Sequence, residues 1–234
     1  HDAEYNTLAT STKFLDLESI NTFATLACHH YHPPNIRYMP SCPYGDTVLD
    51  SSVEGLSSTV DVMISVVTSP PPGPAHFSAI ACNKNTRHIH IYDRDRDNGI
   101  DKWQQWLPAG KTILQLYKAQ CLMVLKQAGW VDCHINTLED AHWTIQWDEV
   151  IHQCDSDLCG FISCLIVWRI ASQQHAGSSL IVLEGNQLEH LSASDVPANV
   201  EYEAIRPLVI TKLYDWIAAC RTVLQIYHNG SAHE

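Results

Sequence analysis

The sequence predicts an α+β fold, in which a central mixed or mainly antiparallel sheet is flanked by helices. The strand signal is clearest in residues 61–68, a β-branched run that indicates a buried strand. A hairpin follows, because two short apolar segments at residues 76–82 and 88–93 are separated by a polar turn. Helical spacing of apolar residues on either side of these strands supplies the covering helices.

Four segments carry a helical pattern. Residues 14–30 have apolar side chains at helical spacing and acidic residues in the first turn. Residues 111–128 have a broad apolar face, and the apolar run at residues 160–170 predicts a buried helix. Residues 202–228 predict a long closing helix that contains Pro207 near its start.

The segments between these elements are predicted to be mostly irregular. Residues 31–45 contain five prolines or glycines and indicate an ordered loop. Residues 130–147 are aromatic and polar and leave room for one more strand, and residues 177–198 indicate a further loop region. The length of 234 residues and the apolar content of 45% favour a single domain over residues 1–234, and from the start at His1 we expect a fragment of a longer protein.

Composition limits the partners and the compartment. The 26 acidic and 14 basic residues give a net charge of −12, which disfavours nucleic acid and favours a basic protein partner. No run of eighteen apolar residues exists, so we expect no contact with a membrane. The nine dispersed cysteines indicate mostly free thiols in a reducing compartment, either the nucleus or the cytoplasm.

Cys159 is the candidate nucleophile. It is followed by Gly160 and by the apolar run that predicts a buried helix. A cysteine at the start of a helix faces the positive end of the helix dipole, which favours the thiolate. The alternative is a small buried hydrophobic residue, which is the commonest role of a cysteine beside an apolar segment.

Three other residues complete a possible thiol-protease site. His76 begins one strand of the predicted hairpin and Asp93 ends the other, so the two side chains are expected to lie near each other. His76 would act as general base and acid, and Asp93 would orient its imidazole. The amide of Gln153 and the backbone N–H of Cys159 would bind the oxyanion.

The order of these residues resembles the ubiquitin-like protease family, the Ulp and SENP type SUMO peptidases of the adenain-like cysteine peptidases. That family has the order His, Asp, Gln and Cys, with a glycine after the cysteine. Here seventeen positions separate His76 from Asp93 and six separate Gln153 from Cys159, and both spacings resemble the family's. The segment from Phe14 to Asn21 also resembles the family's substrate-binding segment, so the resemblance covers roughly residues 14–172.

The resemblance implies a papain-like or adenain-like cysteine protease domain with its nucleophile at a helix N-terminus. It implies a thiol protease and isopeptidase that uses Cys159, His76 and Asp93 to cleave after the C-terminal Gly-Gly of a ubiquitin-like modifier. SUMO is the first choice of modifier, and ubiquitin or another modifier is the alternative. On this interpretation the protein acts as a monomer on modifier conjugates, without a cofactor or a metal.

The chain departs from the family where substrate binds. Phe14 and Phe77 replace two tryptophans that cover the narrow tunnel for the Gly-Gly tail, so a slightly wider tunnel is expected. Leu17 replaces an aspartate of the substrate-binding segment, and Asp16 could take its place from one position earlier. We therefore interpret Phe14, Asp16 and Phe77 as substrate-binding residues.

Several other functions stay open from the residues alone. Within the same group of proteins, an acetyltransferase could use the same Cys-His pair, although this acidic chain shows little sign of a basic pocket for coenzyme A. A pseudo-enzyme could bind a modifier without cutting it. A metallohydrolase could use His88 and His90 as metal ligands. A second possible ligand set is Cys28 with the nearby histidines His29, His30 and His32. A third is the cysteine triplet Cys154, Cys159 and Cys164.

Overall fold

The α+β class is confirmed. The computed structural model describes residues 15–31, 35–40, 60–68, 76–93, 112–148, 158–175 and 202–230. This part of the chain contains the helices α1 (Leu17–Tyr31), α2 (Ile113–Gln127), α3 (Cys159–His175) and α4 (Tyr202–Gly230), and the strands β1 (Ile36–Tyr38), β2 (Val62–Thr68), β3 (Phe77–Asn83), β4 (His88–Tyr92) and β5 (Thr144–Asp148). None of the described helices is long and apolar enough to cross a membrane.

The five strands form one mixed sheet in the order β1-β2-β3-β4-β5. The central pairs, β2 with β3 and β3 with β4, are antiparallel. The two edge strands, β1 and β5, pair in parallel with β2 and β4. The prediction of a mixed or mainly antiparallel sheet is therefore confirmed.

The turn that connects β3 to β4 is stabilised by the side chain of Asn83. Asn83 Oδ1 accepts hydrogen bonds from the backbone N–H groups of Asn85 and Thr86, at 3.0 and 3.2 Å. This arrangement gives the polar turn an internal hydrogen-bond acceptor, which is a common use of asparagine in turns. Arg87 completes the turn with a φ of 55°.

Two predictions for the connecting segments need correction or refinement. The ordered loop predicted for residues 31–45 is wrong in part, because Tyr31 ends α1 and Ile36–Tyr38 forms β1. This strand is too short for an alternating pattern, and its pairing with β2 determines it. The further strand allowed for residues 130–147 is present as β5. The loop predicted for residues 177–198 lies outside the described residues.

Helices cover both faces of the sheet. The side chains of Phe77, Ala79 and Ala81 belong to the hydrophobic cluster that includes residues of α1, α3 and α4. Ile80 and Cys82, which alternate with them along β3, belong to the cluster that includes α2. α2 therefore packs on one face of β3, and α3 packs on the other face.

The cysteines of the described residues are free thiols, as predicted: Cys28, Cys82, Cys121, Cys133, Cys159, Cys164 and Cys220. Burial raises the pKa of the Cys82 and Cys164 thiols well above the ordinary value, and it raises that of Cys121 to about 12. These three thiols therefore stay protonated and serve as small apolar side chains. Cys133, in contrast, is exposed.

Candidate active site

Cys159 lies at the N-terminus of α3, as predicted. The helix contains seventeen residues, and the side chain of Cys159 is in the hydrophobic cluster that also contains Phe77 of β3. Only 3% of Cys159 is exposed. The sulfur is therefore held at the positive end of the helix dipole, between α3 and the end of the sheet.

Gly160 allows the segment before α1 to pack closely on the first turn of α3. A Cβ atom at this position would lie 3.1 Å from Ile20 Cδ1 and 3.2 Å from Leu15 Cβ. Both distances are shorter than ordinary van der Waals contacts between carbon atoms. A larger residue next to Cys159 would therefore need Leu15 and Ile20 to move by a few tenths of an ångström.

His76 and Asp93 meet at one end of the hairpin, as predicted. His76 Nε2 lies 3.0 Å from Asp93 Oδ2, and only 7% and 8% of the two side chains are exposed. Ala79 of β3 pairs with Tyr92 of β4, and one step further along this register places Ser78 opposite Asp93. His76 directly precedes β3 and lies at the same end of the sheet.

The His76 imidazole connects Asp93 with Cys159. Burial by itself lowers the pKa of His76, but the charge and hydrogen bond of Asp93, together with a side-chain hydrogen bond to Cys159, raise it to about 10. Since Nε2 is used by Asp93, Nδ1 is the ring nitrogen available to the Cys159 thiol. The imidazole is therefore held in its protonated form between an acid and a thiol.

Asp93 has two further partners that the sequence reasoning missed. The Oγ of Ser78 and the hydroxyl oxygen of Tyr117 each lie 2.8 Å from Asp93 Oδ2. Burial and the Asp93 charge raise the pKa of Tyr117 well above its ordinary value, so its hydroxyl stays protonated and donates. Tyr117 was predicted only as part of the apolar face of α2. The one available signal was the position of Ser78, two residues after His76 and therefore on the same side of the strand.

The predicted substrate-binding residues fall in different places. Phe77 is 7% exposed and lies in the same cluster as Cys159. Asp16 is exposed, and its Oδ1 accepts a 2.7 Å hydrogen bond from the backbone N–H of Ser19, so it caps α1. Phe14 and Gln153 lie outside the described residues.

The alternative metal-ligand sets also occupy different environments. The rings of His88 and His90 are 6.2 Å apart, but His88 is exposed whereas His90 is buried and stacked on Tyr92. Among the described residues, one group of metal-ligating side chains lies close together: Asp132, Cys133 and His134, all exposed. Neither His88 nor His90 belongs to it. Cys154 and His32 lie outside the described residues.

A cysteine at a helix N-terminus, joined through a buried imidazole to a carboxylate, is the arrangement found in Cys-His-Asp thiol hydrolases.

No protein-family model and no curated protein matches the chain. Solved structures do match. The SUMO protease Ulp1 with its catalytic cysteine oxidized to a sulfenic acid gives a TM-score of 0.53 at 12% identity, over 92% of this chain and 82% of that one. The form oxidized to a sulfonic acid gives 0.52 at 13% identity, over 93% and 84%. The chain therefore has a Ulp/SENP-like cysteine protease fold.

Proposed function

We propose that the protein is a thiol peptidase and isopeptidase that cleaves after the C-terminal Gly-Gly of a ubiquitin-like modifier. The observation that carries the proposal is the hydrogen-bonded series of Cys159, His76 and Asp93 at the N-terminus of α3. The Ulp1-like fold supports it, because that fold holds a catalytic cysteine in the named neighbours. In this proposal Cys159 is the nucleophile, His76 the general acid and base, and Asp93 the group that orients the imidazole.

The proposed reaction passes through a thioester. The Cys159 thiolate attacks the carbonyl carbon of the modifier's last glycine, and the protonated His76 gives its proton to the departing lysine or peptide amine. A water molecule then loses a proton to His76 and attacks the thioester. This step restores the thiolate beside the protonated His76 and releases the modifier's carboxylic acid, which loses its proton to the solvent and becomes a carboxylate. The Gln153 amide and the Cys159 backbone N–H are proposed to stabilise the oxyanion in both steps.

SUMO is proposed as the first modifier to test, and ubiquitin as the second. The named neighbours are SUMO proteases, and the net charge of −12 suits a modifier with a basic surface near its tail. Phe77 and Phe14 are proposed to cover the tail, and Asp16 to contact the modifier from the start of α1. The proposal needs no cofactor or metal, and it has the protein act as a monomer in the nucleus or the cytoplasm.

Release of a C-terminal extension tests this function. SUMO and ubiquitin precursors with a short peptide after Gly-Gly are incubated with the protein, and the free peptide is measured. We expect release from the SUMO precursor, loss of release in Cys159→Ala, and normal release in Cys133→Ala, which removes an exposed thiol. Release from ubiquitin alone would contradict the choice of SUMO and retain the peptidase. No release from any modifier precursor would contradict the proposed function.

A further inference from the structure

We propose that Ser78 and Tyr117 are positioning residues, whose hydroxyl groups hold the Asp93 carboxylate in the orientation that serves His76. The inference rests on the proposed function, because it assigns the two residues a role in the same reaction. Neither residue contacts the reacting atoms in this proposal. Both act on His76 only through Asp93.

The geometry joins the three side chains at one carboxylate oxygen. Asp93 Oδ2, Ser78 Oγ and the Tyr117 hydroxyl oxygen form a triangle in which each pair of atoms is 2.8 Å apart. His76 Nε2 is the fourth atom, 3.0 Å from the same Oδ2. A single oxygen is thereby contacted by two side chains from the start of β3 and by one from α2.

Counting protons shows that at least one hydroxyl always donates to Asp93. Ser78 and Tyr117 each carry one hydroxyl proton, so two protons serve the three oxygen–oxygen contacts. Either both hydroxyls donate to Asp93, or one donates to the other, which then donates to Asp93. An ionised carboxylate can only accept hydrogen bonds. In each arrangement Asp93 therefore accepts from a hydroxyl as well as from His76, and this second donor restricts rotation of the carboxylate group.

Burial and ring packing make this arrangement well determined. Ser78 is 1% exposed and Tyr117 is 6% exposed, so a hydroxyl that turned away from Asp93 would lose a hydrogen bond in an apolar environment. The Tyr117 ring packs edge-on against Trp147 of β5, with centroids 5.4 Å apart. This contact holds the ring and therefore its hydroxyl in place. Removal of both hydroxyls would take away two of the contacts that hold the carboxylate towards the imidazole.

The pH dependence of Cys159 reactivity distinguishes this role from a merely structural one. Among the described residues, the titratable groups that face His76 are Asp93, which follows β4, and Cys159 from α3. Tyr117 from α2 faces Asp93 and also interacts electrostatically with Cys159. If the carboxylate loses its orientation, its charge and hydrogen bond raise the pKa of His76 less. The inflection that His76 causes would then move down from about pH 10.

The experiment compares Tyr117→Phe, Ser78→Ala and the double variant with two matched controls. Tyr31→Phe removes a buried hydroxyl that is bonded to Trp168 Nε1, and Ser65→Ala removes a buried hydroxyl that has no hydrogen-bond partner among the described residues. Thermal unfolding first shows that each variant is folded. The rate of alkylation of Cys159 by iodoacetamide is then measured against pH by mass spectrometry of the peptide that contains it, alongside kcat and KM for precursor cleavage.

We expect the double variant to lose about tenfold in kcat with little change in KM. This is the scale of loss seen in metalloenzymes when the hydrogen-bond partner of a metal-ligating residue is removed. We also expect its upper inflection in alkylation to lie at lower pH, whereas both controls follow the wild type. Variants that follow the controls would overturn the inference and leave the proposed function intact. A wild-type Cys159 that reacts no faster than Cys133 at neutral pH would contradict the proposed function, and with it this inference.

Discussion

His76 Nε2 lies 3.0 Å from Asp93 Oδ2, although the two residues are 17 positions apart in the chain. The antiparallel pairing of β3 with β4 produces this contact, because His76 directly precedes β3 and Asp93 directly follows β4. The carboxylate raises the pKa of a buried imidazole that would otherwise be neutral, and so keeps the His76 proton available beside Cys159. The hairpin is therefore the structural basis of the proposed chemistry.

Replacing Asp93 with asparagine should keep the fold and impair the reaction. The amide is close in size to the carboxylate but lacks its charge, so the pKa of His76 should fall from about 10 and the imidazole should be neutral at neutral pH. We expect kcat to drop by roughly 10²- to 10⁴-fold, as at other sites where the orienting acid of a triad is changed to an amide. The measurement is the pH profile of precursor cleavage, with Asp132→Asn, at an exposed position, as the control. An unchanged profile would contradict the role given to Asp93.

Stability should decline in alkaline solution because of His76. The pKa of His76 is raised from 6.5 to about 10 in the folded protein, so the folded state binds a proton that the unfolded state releases above about pH 6.5. The stabilisation is fully present below that pH and is lost as the pH rises through about 10. Urea unfolding at a series of pH values should show this loss in the wild type and a flatter curve in His76→Gln. Parallel curves for the two proteins would rule out the raised pKa.

Gly160→Ala should disturb the packing around the nucleophile. The new Cβ would approach Ile20 Cδ1 of α1 and Leu15 Cβ to 3.1 and 3.2 Å, so these two residues must move by a few tenths of an ångström. We expect a loss of about 1–3 kcal/mol in the free energy of unfolding, as for other overpacked sites, and slower alkylation of Cys159.

Gly129→Ala is the contrasting variant for Gly160→Ala. Gly129 has a φ of +67° and no atom within 4 Å of an added Cβ. It should cost about 1 kcal/mol through backbone strain and leave Cys159 reactivity unchanged. Equal effects of both variants on Cys159 would show that the contact of Gly160 with Leu15 is unimportant for the site.

Two substitutions of Asp16 can separate helix capping from modifier binding. Asp16→Ala removes both the charge and the acceptor for the Ser19 N–H, and should cost about 1 kcal/mol of stability. Asp16→Ser keeps an acceptor and should retain stability, since serine is also a good N-cap residue. If Asp16 contacts the modifier, KM should rise in both variants. A rise in KM that occurs only in Asp16→Ala would assign the residue to capping alone.

The β3–β4 hairpin and the proximity of His76 to Asp93 could be predicted from the sequence. His76, Asp93 and Cys159 could be predicted because hairpin pairing and helix starts are local features, and because their chain order resembles that of a known family. The helices were also predictable, since their apolar residues recur at helical spacing. Gln153 and Phe14 stay predictions, because they lie outside the described residues.

Other features depend on contacts between distant segments. The strand β1 has only three residues, and its pairing with β2 defines it. The role of Tyr117 depends on how α2 packs on the sheet, which places its hydroxyl against a carboxylate 24 positions earlier. A tyrosine on an apolar helix face gives no indication of such a partner in the sequence. The same holds for the close contact between Gly160 and Leu15.

Covalent trapping of Cys159 tests the central claim most directly. SUMO and ubiquitin, each with an electrophile in place of the C-terminal carboxylate, are incubated with the protein, and the modified residue is mapped by mass spectrometry. We predict a single adduct on Cys159 with SUMO, absent from Cys159→Ala and formed more slowly by Asp93→Asn. The absence of an adduct with every ubiquitin-like modifier, or an adduct that persists in Cys159→Ala, would contradict the account.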